Sequence, residues 1–332
     1  MSESAEVEVD EAGLRLDRWF KRHYPALGHG PLEKLLRTGQ VRIDGKRAKA
    51  GDRLEAGQAI RIPPQVQKIK SSAPQNLPAK APGGTDSNFI ASLVIHQDES
   101  LFVLNKPSGI ASQGGSGVTR HIDGMLDGLQ GNKRQRPRLV HRLDRDTSGV
   151  IVVARTLPAA AALSESLRRR DAKKTYWALT KGVPRPHRGV IRLALAKGSE
   201  EDGGHERMRA AEAGEENAKS ATTYYAVMGT AADKYAWVAL RPVTGRTHQL
   251  RAHLAHIGTP IVGDFKYGGV PAKGLGELED RLHLHARTLD IAHPEGGRLH
   301  AVASLSPHMV RAWRLFAFDP DDETDPFAEL RG

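Results

Sequence analysis

The sequence predicts an α+β fold in which a large sheet with helices between some of its strands follows a small, separate α/β domain. Short runs rich in β-branched and aromatic residues recur after residue 89, as is typical of strands. Helical patterns lie between some of these runs, notably LPAAAALSESLRRRD and the stretch after Thr247. A segment rich in Pro, Ser, Gly and Lys lacks periodicity and divides the chain.

These observations define the predicted regions. We expect a small domain at residues 13–63, a flexible linker at 64–88, a large domain at 89–320 and a tail at 321–332. The predicted strands of the large domain are ASLVIH, LFVLNKP, VIVVAR, TYWALTK, TTYYAVM and YAWVALRPV. Residues 198–217 are charged and glycine-rich without an apolar face, so they are predicted to form an exposed loop.

Composition restricts the partner and the chemistry. The formal net charge is +10, which favours a polyanionic partner, RNA or DNA. The chain has no cysteine, so disulfides, thiolate metal sites and cysteine nucleophiles are excluded. No apolar run approaches the roughly 18 residues of a membrane span, and MSESAEVEVDE does not resemble a secretion signal. We therefore expect a cytoplasmic protein.

The small domain reads as two short helices followed by short strands, with an Asp-Gly hairpin in VRIDGK. Both helices are basic, through Arg15, Arg18, Lys21, Arg22, Lys34 and Arg37. Such a face can bind phosphates through counterion release. It can equally be an ordinary solvated helix face, and charge alone does not decide.

The stretch LVHRLDRDTSGV, residues 139–150, places two aspartates among basic residues. An aspartate beside arginines is expected to be ionised, which suits Asp144 to act as a nucleophile rather than as a general acid. Alternatively, Asp146, Thr147 and Ser148 cap a turn that Gly149 closes. A metal site of Asp144, Asp146 and His141 is a weak third possibility without a second carboxylate cluster.

A second informative stretch is RPVTGRTHQLRAHLAHIGTPIVGDFKYGG, residues 241–269. Thr247 can cap a helix that continues to about Ile257. Arg246, His248 and Arg251 at its start could bind an anion or clamp Asp144. The spacing of His248, His253 and His256 provides only one close pair on a helical face, so hydrogen-bonded or solvent-facing histidines are favoured over a zinc site.

Together, HRLDRDTSGV, KKTYWAL and TGRTHQLRAHLAHIGTPIVGDFKYG resemble, in order and spacing, the RluA-type pseudouridine synthases, which isomerise selected uridines in RNA. NKPSGI and the residues Lys219, Ala221, Thr223 and Tyr225 match further, so the resemblance covers nearly the whole chain. It implies the pseudouridine synthase fold, with a large mixed, mainly antiparallel sheet flanked by helices and loops. The large domain would then be catalytic.

The resemblance also implies roles for individual residues. Asp144 would attack ribose C1′ or promote elimination to a glycal, and these routes stay open. Arg251 would pair with Asp144 and keep it ionised. Tyr176 would stack on the base and later help to remove the C5 proton. Arg142 would enter the RNA and help to extrude the target base, while Asp146 remains a turn residue.

The small domain resembles the S4 RNA-binding module. The resemblance rests on a motif formed by Gly39, Val41, Ile43, Asp44, Gly45 and Lys46. The predicted RNA-binding residues are Arg142, Arg246, His248, Arg15, Arg18, Arg37 and Lys46. An S4 domain joined to NKPSGIASQGGSG is most similar to the branch of the family that modifies large-subunit (23S) ribosomal RNA. Departures from that branch are Gln113, where histidine is common, and ASLSPHM from Ala303, where relatives are richer in proline.

The expected function is therefore isomerisation of uridine to pseudouridine in RNA, most similar to that of enzymes acting on 23S ribosomal RNA. We expect a monomer that needs no metal, cofactor or membrane. Two alternatives come from other classes. One is a non-catalytic S4-type ribosome assembly factor, which an intact Asp144, Tyr176 and Arg251 argue against. The other is a nucleoside or glycoside hydrolase, which would need a partner carboxylate.

Overall fold

A computed structural model of the chain describes residues 3–8, 11–24, 27–66, 84–115, 118–169, 171–198, 207–212, 214–273 and 276–329. The chain divides into two compact units, Met1–Ala81 and Pro82–Gly332, and each is described by itself. Within the described ranges, no helix combines the length and the apolar character that crossing a membrane requires.

The described residues of the N-terminal unit form two complete helices, a further helical stretch at residues 64–66 and a four-stranded sheet of order β1-β4-β2-β3. Its elements are β1 (Glu3–Glu6), α1 (Leu16–His23), α2 (His29–Arg37), β2 (Arg42–Ile43), β3 (Lys46–Arg47) and β4 (Ala59–Ile62). Asp44 and Gly45 have φ values of 48° and 76°, and a two-residue type I′ hairpin turn needs positive φ at both positions. The predicted helices and the Asp-Gly hairpin are confirmed.

This unit extends beyond the predicted boundaries of residues 13–63. β1 pairs with β4, and the buried Glu11 carboxylate accepts a hydrogen bond from Trp19 Nε1 at 2.8 Å. Val66 is fully buried in the same core. The strand ESAE is too short and polar to show a strand period, which is why the sequence pattern did not predict it.

The C-terminal unit is built on a ten-stranded sheet. Its helices are α3 (Gly84–Ser92), α4 (Ile122–Met125), α5 (Leu157–Ser166), α6 (Gln249–His256), α7 (Phe265–Gly268) and α8 (Pro307–Leu315), with 3₁₀ turns at Leu126–Leu129 and Val270–Ala272. Its strands are β5 (Val94–Gln97), β6 (Leu101–Lys106), β7 (Arg138–Leu139), β8 (Ser148–Ala154), β9 (Lys173–Lys181), β10 (Arg188–Arg192), β11 (Leu195–Lys197), β12 (Met208–Ala210), β13 (Thr222–Ala231), β14 (Tyr235–Pro242), β15 (Leu284–Ala292) and β16 (Arg298–Val302).

The large sheet is mixed and mainly antiparallel, as the resemblance implied. Its order is β10-β13-β14-β9-β15-β8-β6-β5, with β16 paired to β15 and β7 to β8. Its described pairs are antiparallel except for β8 and β15, which run parallel. Helices α5, α6 and α8 pack apolar side chains on the sheet, so the predicted α+β class is confirmed.

The parallel pairing of β8 with β15 corrects the prediction that Gly149 closes a turn. Ser148 and Gly149 begin β8 rather than close a turn. Gly149 has a φ of 110°, and a Cβ atom there would lie 2.2 Å from the carbonyl oxygen of Ala286. Glycine is required because β15 approaches the backbone so closely. The turn that carries Asp144 therefore immediately precedes a buried strand.

Three other predicted segments differ from the structure. Residues 84–88 of the predicted linker begin α3, which Ile90 anchors in the core, while residues 67–83 lie outside the described residues. The predicted tail packs on the unit through Phe327, which is 3% exposed. The predicted loop at 198–217 contains strand β12, which pairs with β11. Residues 199–206 and 213 lie outside the described ranges, and among the other residues of the loop one side chain, that of Met208, is buried.

Candidate active site

The site residues that the sequence predicts in the large domain line one cavity of about 1110 Å³. They are Arg142, Asp144, Tyr176, Arg246, His248 and Arg251. The remaining predicted RNA-binding residues are exposed side chains of the N-terminal unit: Arg15, Arg18, Arg37 and Lys46. Arg142 is also exposed, at the cavity wall.

Two serines after β6 hold the backbone on both sides of Asp144. Ser112 Oγ donates to the carbonyl oxygen of Leu143 at 2.6 Å and accepts from its N–H at 3.0 Å. Ser108 Oγ donates to the carbonyl oxygen of Asp146 at 2.9 Å. These bonds fix the main chain, while the side chain of Asp144, 27% exposed, faces the cavity.

Lys106 supports the same turn from the buried end of β6. Its ammonium group donates to three carbonyl oxygens, those of Pro107 at 3.0 Å, Ile110 at 2.7 Å and Arg145 at 3.0 Å. Burial lowers the pKa of Lys106 to about 7, and the negative charges of Asp146 and Asp144 oppose that shift. Three acceptors use all three protons of the ammonium form. In its ammonium form, Lys106 therefore holds the turn from beneath through all three of its N–H groups.

The two aspartates of the turn differ in their surroundings. Asp146 pairs with Arg145, with 3.1 Å between Oδ1 and Nε, and both side chains are solvent-accessible. The N–H of Thr147 donates to the carbonyl oxygen of Asp144 at 3.2 Å, which closes the turn. Asp146 is thus a surface residue of the turn, and Asp144 is the aspartate that the turn presents to the cavity.

Tyr176 enters the cavity from β9, where it lies opposite Leu240 of β14. Lys174, two residues earlier and therefore on the same face of the strand, also lines the cavity. Burial raises the pKa of the Tyr176 hydroxyl, and the charge of Asp144 raises it further. Tyr176 therefore remains protonated at neutral pH and offers the cavity an aromatic ring with a hydrogen-bond donor.

Arg251 does not pair directly with Asp144, contrary to the prediction. Its guanidinium forms a bidentate pair with Asp264, with Nε to Oδ2 at 2.8 Å and Nη2 to Oδ1 at 2.7 Å. The two side chains are only 9% and 1% exposed. The carboxylate of Asp264 is planar and matches the guanidinium fork. The signal in the sequence was the position of Asp264 before FKYG, where it caps α7 by accepting from the N–H of Tyr267 at 3.2 Å.

The helix that carries Arg251 begins later than predicted. Its N-cap is His248, in a left-handed conformation with φ 51° and ψ 20°, and not Thr247. The buried Gln249 side chain accepts from Thr244 Oγ1 at 2.8 Å, which ties the helix start to the preceding loop. The predicted anion site is incomplete because Arg251 is occupied by Asp264, whereas Arg246 and His248 remain on the cavity.

His248 lies between Asp144 and Tyr267. Its Nε2 is 3.8 Å from Asp144 Oδ2, and its Nδ1 is 2.9 Å from the Tyr267 hydroxyl. That hydroxyl accepts from the backbone N–H of Met208 at 2.9 Å. Burial lowers the pKa of His248, and the charge of Asp144 opposes the shift. Strand β12 thus contacts the side chain that supports His248.

Neither metal site considered from the sequence is present in the described part of the chain, where no group of three or more His, Asp or Glu is arranged to hold an ion. His141 Nε2 accepts from the Val152 N–H at 2.9 Å, and burial lowers the pKa of His141 to about 3. His253 is buried, whereas His256 is exposed at the helix end. Chemistry without a metal or cofactor stays a prediction.

Comparison with known proteins identifies the family. A model of the RNA pseudouridylate synthase family matches residues 100–256, a range that includes Asp144, Tyr176 and Arg251. Ribosomal large subunit pseudouridine synthase C of Pasteurella multocida is 35% identical over 318 residues, which cover 92% of this chain and 91% of that protein. This chain belongs to the RNA pseudouridine synthase family.

Other relatives agree. RNA pseudouridine synthase 4, mitochondrial, of Arabidopsis thaliana is 38% identical over 301 residues, or 80% of this chain, which spans 62% of that protein's length. The structure of human RNA Pseudouridylate Synthase Domain Containing 4 superposes with a TM-score of 0.58 at 30% identity, covering 70% of this chain and 97% of that one. The RluA-type resemblance and the fold it implied are confirmed. The chain is an enzyme that isomerises uridine in RNA.

Three supporting residues of this pseudouridine synthase had no role in the sequence interpretation. Lys106 belongs to the quoted NKPSGI, and Asp264 and Tyr267 belong to the quoted GDFKYG. Each acts through another residue, because Lys106 holds the turn, Asp264 holds Arg251 and Tyr267 holds His248. Motif matching located these segments, but only the fold identifies their contacts.

Proposed function

We propose that this pseudouridine synthase modifies specific uridines of large-subunit (23S) ribosomal RNA and uses Asp144 as its nucleophile. The substrate is inferred from the Pasteurella relative, which is named for the large ribosomal subunit and matches this chain over most of its length. That the enzyme acts as a cytoplasmic monomer without a metal or other cofactor remains a prediction.

The observation that most strongly supports Asp144 as the nucleophile is that its main chain is held by hydrogen bonds while its carboxylate faces the cavity. The side chains of Ser108, Ser112 and Lys106 form hydrogen bonds with the main chain around Asp144. Its carboxylate faces a cavity whose wall includes Tyr176. A carboxylate on a fixed main chain beside an aromatic ring suits attack at the sugar of a stacked nucleoside.

The reaction needs no external reagent. The bond between uracil N1 and ribose C1′ breaks, either by attack of Asp144 on C1′ or by elimination to a glycal. The base then rotates and C5 bonds to C1′; in the first route the bond from Asp144 to C1′ breaks as this bond forms, and in the second the proton lost from C2′ is returned to it. The C5 proton leaves to solvent, and N1 takes up a proton. Tyr176 is proposed to stack on the base during rotation. Because its hydroxyl stays protonated, it is proposed to help in removal of the C5 proton by donating a hydrogen bond, not as the base.

The base must leave its helix before the reaction, at a cost of a few kcal/mol. Arg142, exposed at the cavity wall, is proposed to enter the RNA in place of the extruded base. The N-terminal unit is proposed to be an S4-type RNA-binding module that uses Arg15, Arg18, Arg37 and Lys46. Its hairpin and the exposed side chains of Arg18, Arg37 and Lys46 support this role, because solvent-accessible cations can contact phosphates. Arg15 is exposed as well, but its guanidinium is paired with Asp17 at 2.8 Å.

A hydrolase with two carboxylates is less consistent with the cavity. The second carboxylate among its described lining residues is Asp171, which is bound by Arg169 at 3.0 Å and by Arg298 at 3.2 Å. Arg169 lowers the pKa of Asp171. A general acid requires a raised pKa, so Asp171 is poorly suited to protonate a leaving group.

The test is release of tritium from C5-labelled uridine in large-subunit ribosomal RNA transcripts. We expect the enzyme to release a fixed number of tritium atoms per transcript. Mapping of the product should then find pseudouridine at defined positions. Small-subunit ribosomal RNA and transfer RNA serve as competing substrates. Release from one of these, with none from large-subunit RNA, would contradict the substrate. Release that persists in Asp144→Asn would contradict the nucleophile.

A further inference from the structure

His248 has an unusual backbone conformation for its position. A left-handed φ is uncommon for a residue other than glycine, although Asn, Asp and His tolerate it better than most. The side chain makes no capping hydrogen bond to α6. Its two ring nitrogens face Tyr267 and Asp144 instead, at 2.9 Å and 3.8 Å. The left-handed backbone of His248 therefore occurs together with an imidazole ring that lies between the side chains of Tyr267 and Asp144.

The hydrogen-bond network assigns the proton on the imidazole. The Tyr267 oxygen accepts the N–H of Met208, so its own hydrogen is available to donate to His248 Nδ1. Burial raises the pKa of Tyr267 to about 12, so the phenol keeps that hydrogen at neutral pH. With Nδ1 acting as the acceptor, an uncharged His248 carries its proton on Nε2. That N–H is on the side of Asp144.

The gap between Nε2 and Asp144 Oδ2 is larger than a hydrogen bond in the absence of RNA. At 3.8 Å it exceeds the usual 2.7–3.2 Å range for N–H···O. Catalytic hydrogen bonds are often long in unliganded enzymes and shorten once substrate is bound. Arg251, which was predicted to orient Asp144, is instead bound to Asp264. His248 is thus a polar side chain of the cavity wall within ion-pair distance of the carboxylate.

We propose that His248 is a positioning residue for Asp144, donating its Nε2–H to Oδ2 in the RNA complex, with the donating tautomer set by the Tyr267 hydroxyl. This inference rests on the proposed function, because it gives Asp144 the role of nucleophile. It replaces the predicted contact of His248 with RNA. It also gives Met208 a role, since the β12 backbone orients the Tyr267 hydroxyl.

Two amide substitutions separate this role from a structural one. The amide nitrogen of glutamine reaches about as far as Nε2, whereas that of asparagine ends near the place of Nδ1. We expect His248→Gln to keep most of the kcat and His248→Asn to lose about 10- to 100-fold, the loss of one hydrogen bond to a charged group, with KM little changed. A merely structural role gives the opposite order, because asparagine tolerates left-handed backbone better than glutamine.

Tyr267→Phe provides the second arm as a double-mutant cycle. In the wild-type background, loss of the hydroxyl frees the imidazole tautomer and should lower kcat. In the His248→Gln background there is no tautomer to set, so the same substitution should change kcat little. An equal loss in both backgrounds would mean that Tyr267 acts only through packing, and would overturn the tautomer assignment. His256→Ala, at the exposed end of the same helix, is the matched control and should behave as wild type.

The outcomes distinguish this inference from the proposed function. Tritium release by wild type that is lost in Asp144→Asn supports the proposed function alone. If His248→Asn then equals or exceeds His248→Gln, the positioning role is wrong while the nucleophile stands. Thermal unfolding of each variant confirms that kcat is compared between folded proteins. If wild type releases no tritium from any RNA, the proposed function has failed independently.

Discussion

The catalytic cavity and the basic face of the N-terminal unit both contain arginines, but in different physical states. Arg251 in the cavity is 9% exposed and makes two bonds to a carboxylate that is 1% exposed. On α1 and α2, the side chains of Arg18, Lys21, Lys34 and Arg37 are exposed. A buried pair fixes an orientation, whereas exposed cations add up to a field that salt screens. Single substitutions should therefore be severe in the cavity and mild on the face.

The largest effect is expected within the turn itself. Asp144→Asn removes the charge of the nucleophile and should lower kcat by about 10⁴-fold or more, as the loss of a nucleophile does elsewhere. Asp146→Asn removes an exposed carboxylate of the same turn, paired with the exposed Arg145, and should keep kcat within a few-fold. Single-turnover tritium release measures both variants under the same conditions.

The variants Asp144→Asn and Asp146→Asn are controls for each other, since they make the same chemical change two residues apart. Equal losses would mean that the turn as a whole, and not the Asp144 carboxylate, is what the reaction requires. Far-UV circular dichroism and thermal unfolding should be unchanged in both variants, because neither carboxylate is buried or contributes a hydrogen bond to the core.

The second prediction concerns stability in the cavity. Arg251→Met leaves the carboxylate of Asp264 buried without its partner, which should cost about 3–5 kcal/mol in the free energy of unfolding. Arg37→Ala, at an exposed position on α2, should change it by less than about 0.5 kcal/mol. Urea unfolding measures both. The double variant Arg251→Met, Asp264→Leu should be more stable than Arg251→Met alone; a further loss would contradict the ion-pair explanation.

The same contrast explains what the sequence could predict. Local patterns identified the Asp-Gly hairpin, the strands of the large sheet and the residues that meet in the cavity, because turn chemistry, strand period and family motifs all lie within short segments. The partner of Arg251 could not be predicted in this way. Its choice of Asp264 over Asp144 depends on how α6, α7 and the turn pack together. Gly149 was misassigned for the same reason, since its constraint comes from Ala286 on β15.

The smallest effects are expected on the basic face, where charge rather than geometry should matter. Replacing Arg18, Lys21, Lys34 and Arg37 together by glutamine in the full chain should raise KM for ribosomal RNA and leave kcat unchanged. Each lost phosphate contact should reduce the slope of log KM against log salt by about 0.7–0.9. The charge-preserving Arg18→Lys, Arg37→Lys variant should match wild type, whereas Arg251→Lys should not, because lysine cannot form the bidentate pair. A large loss of kcat in the glutamine variant would mean that the N-terminal unit does more than supply a cationic surface. An unchanged slope would mean that these cations do not contact phosphates.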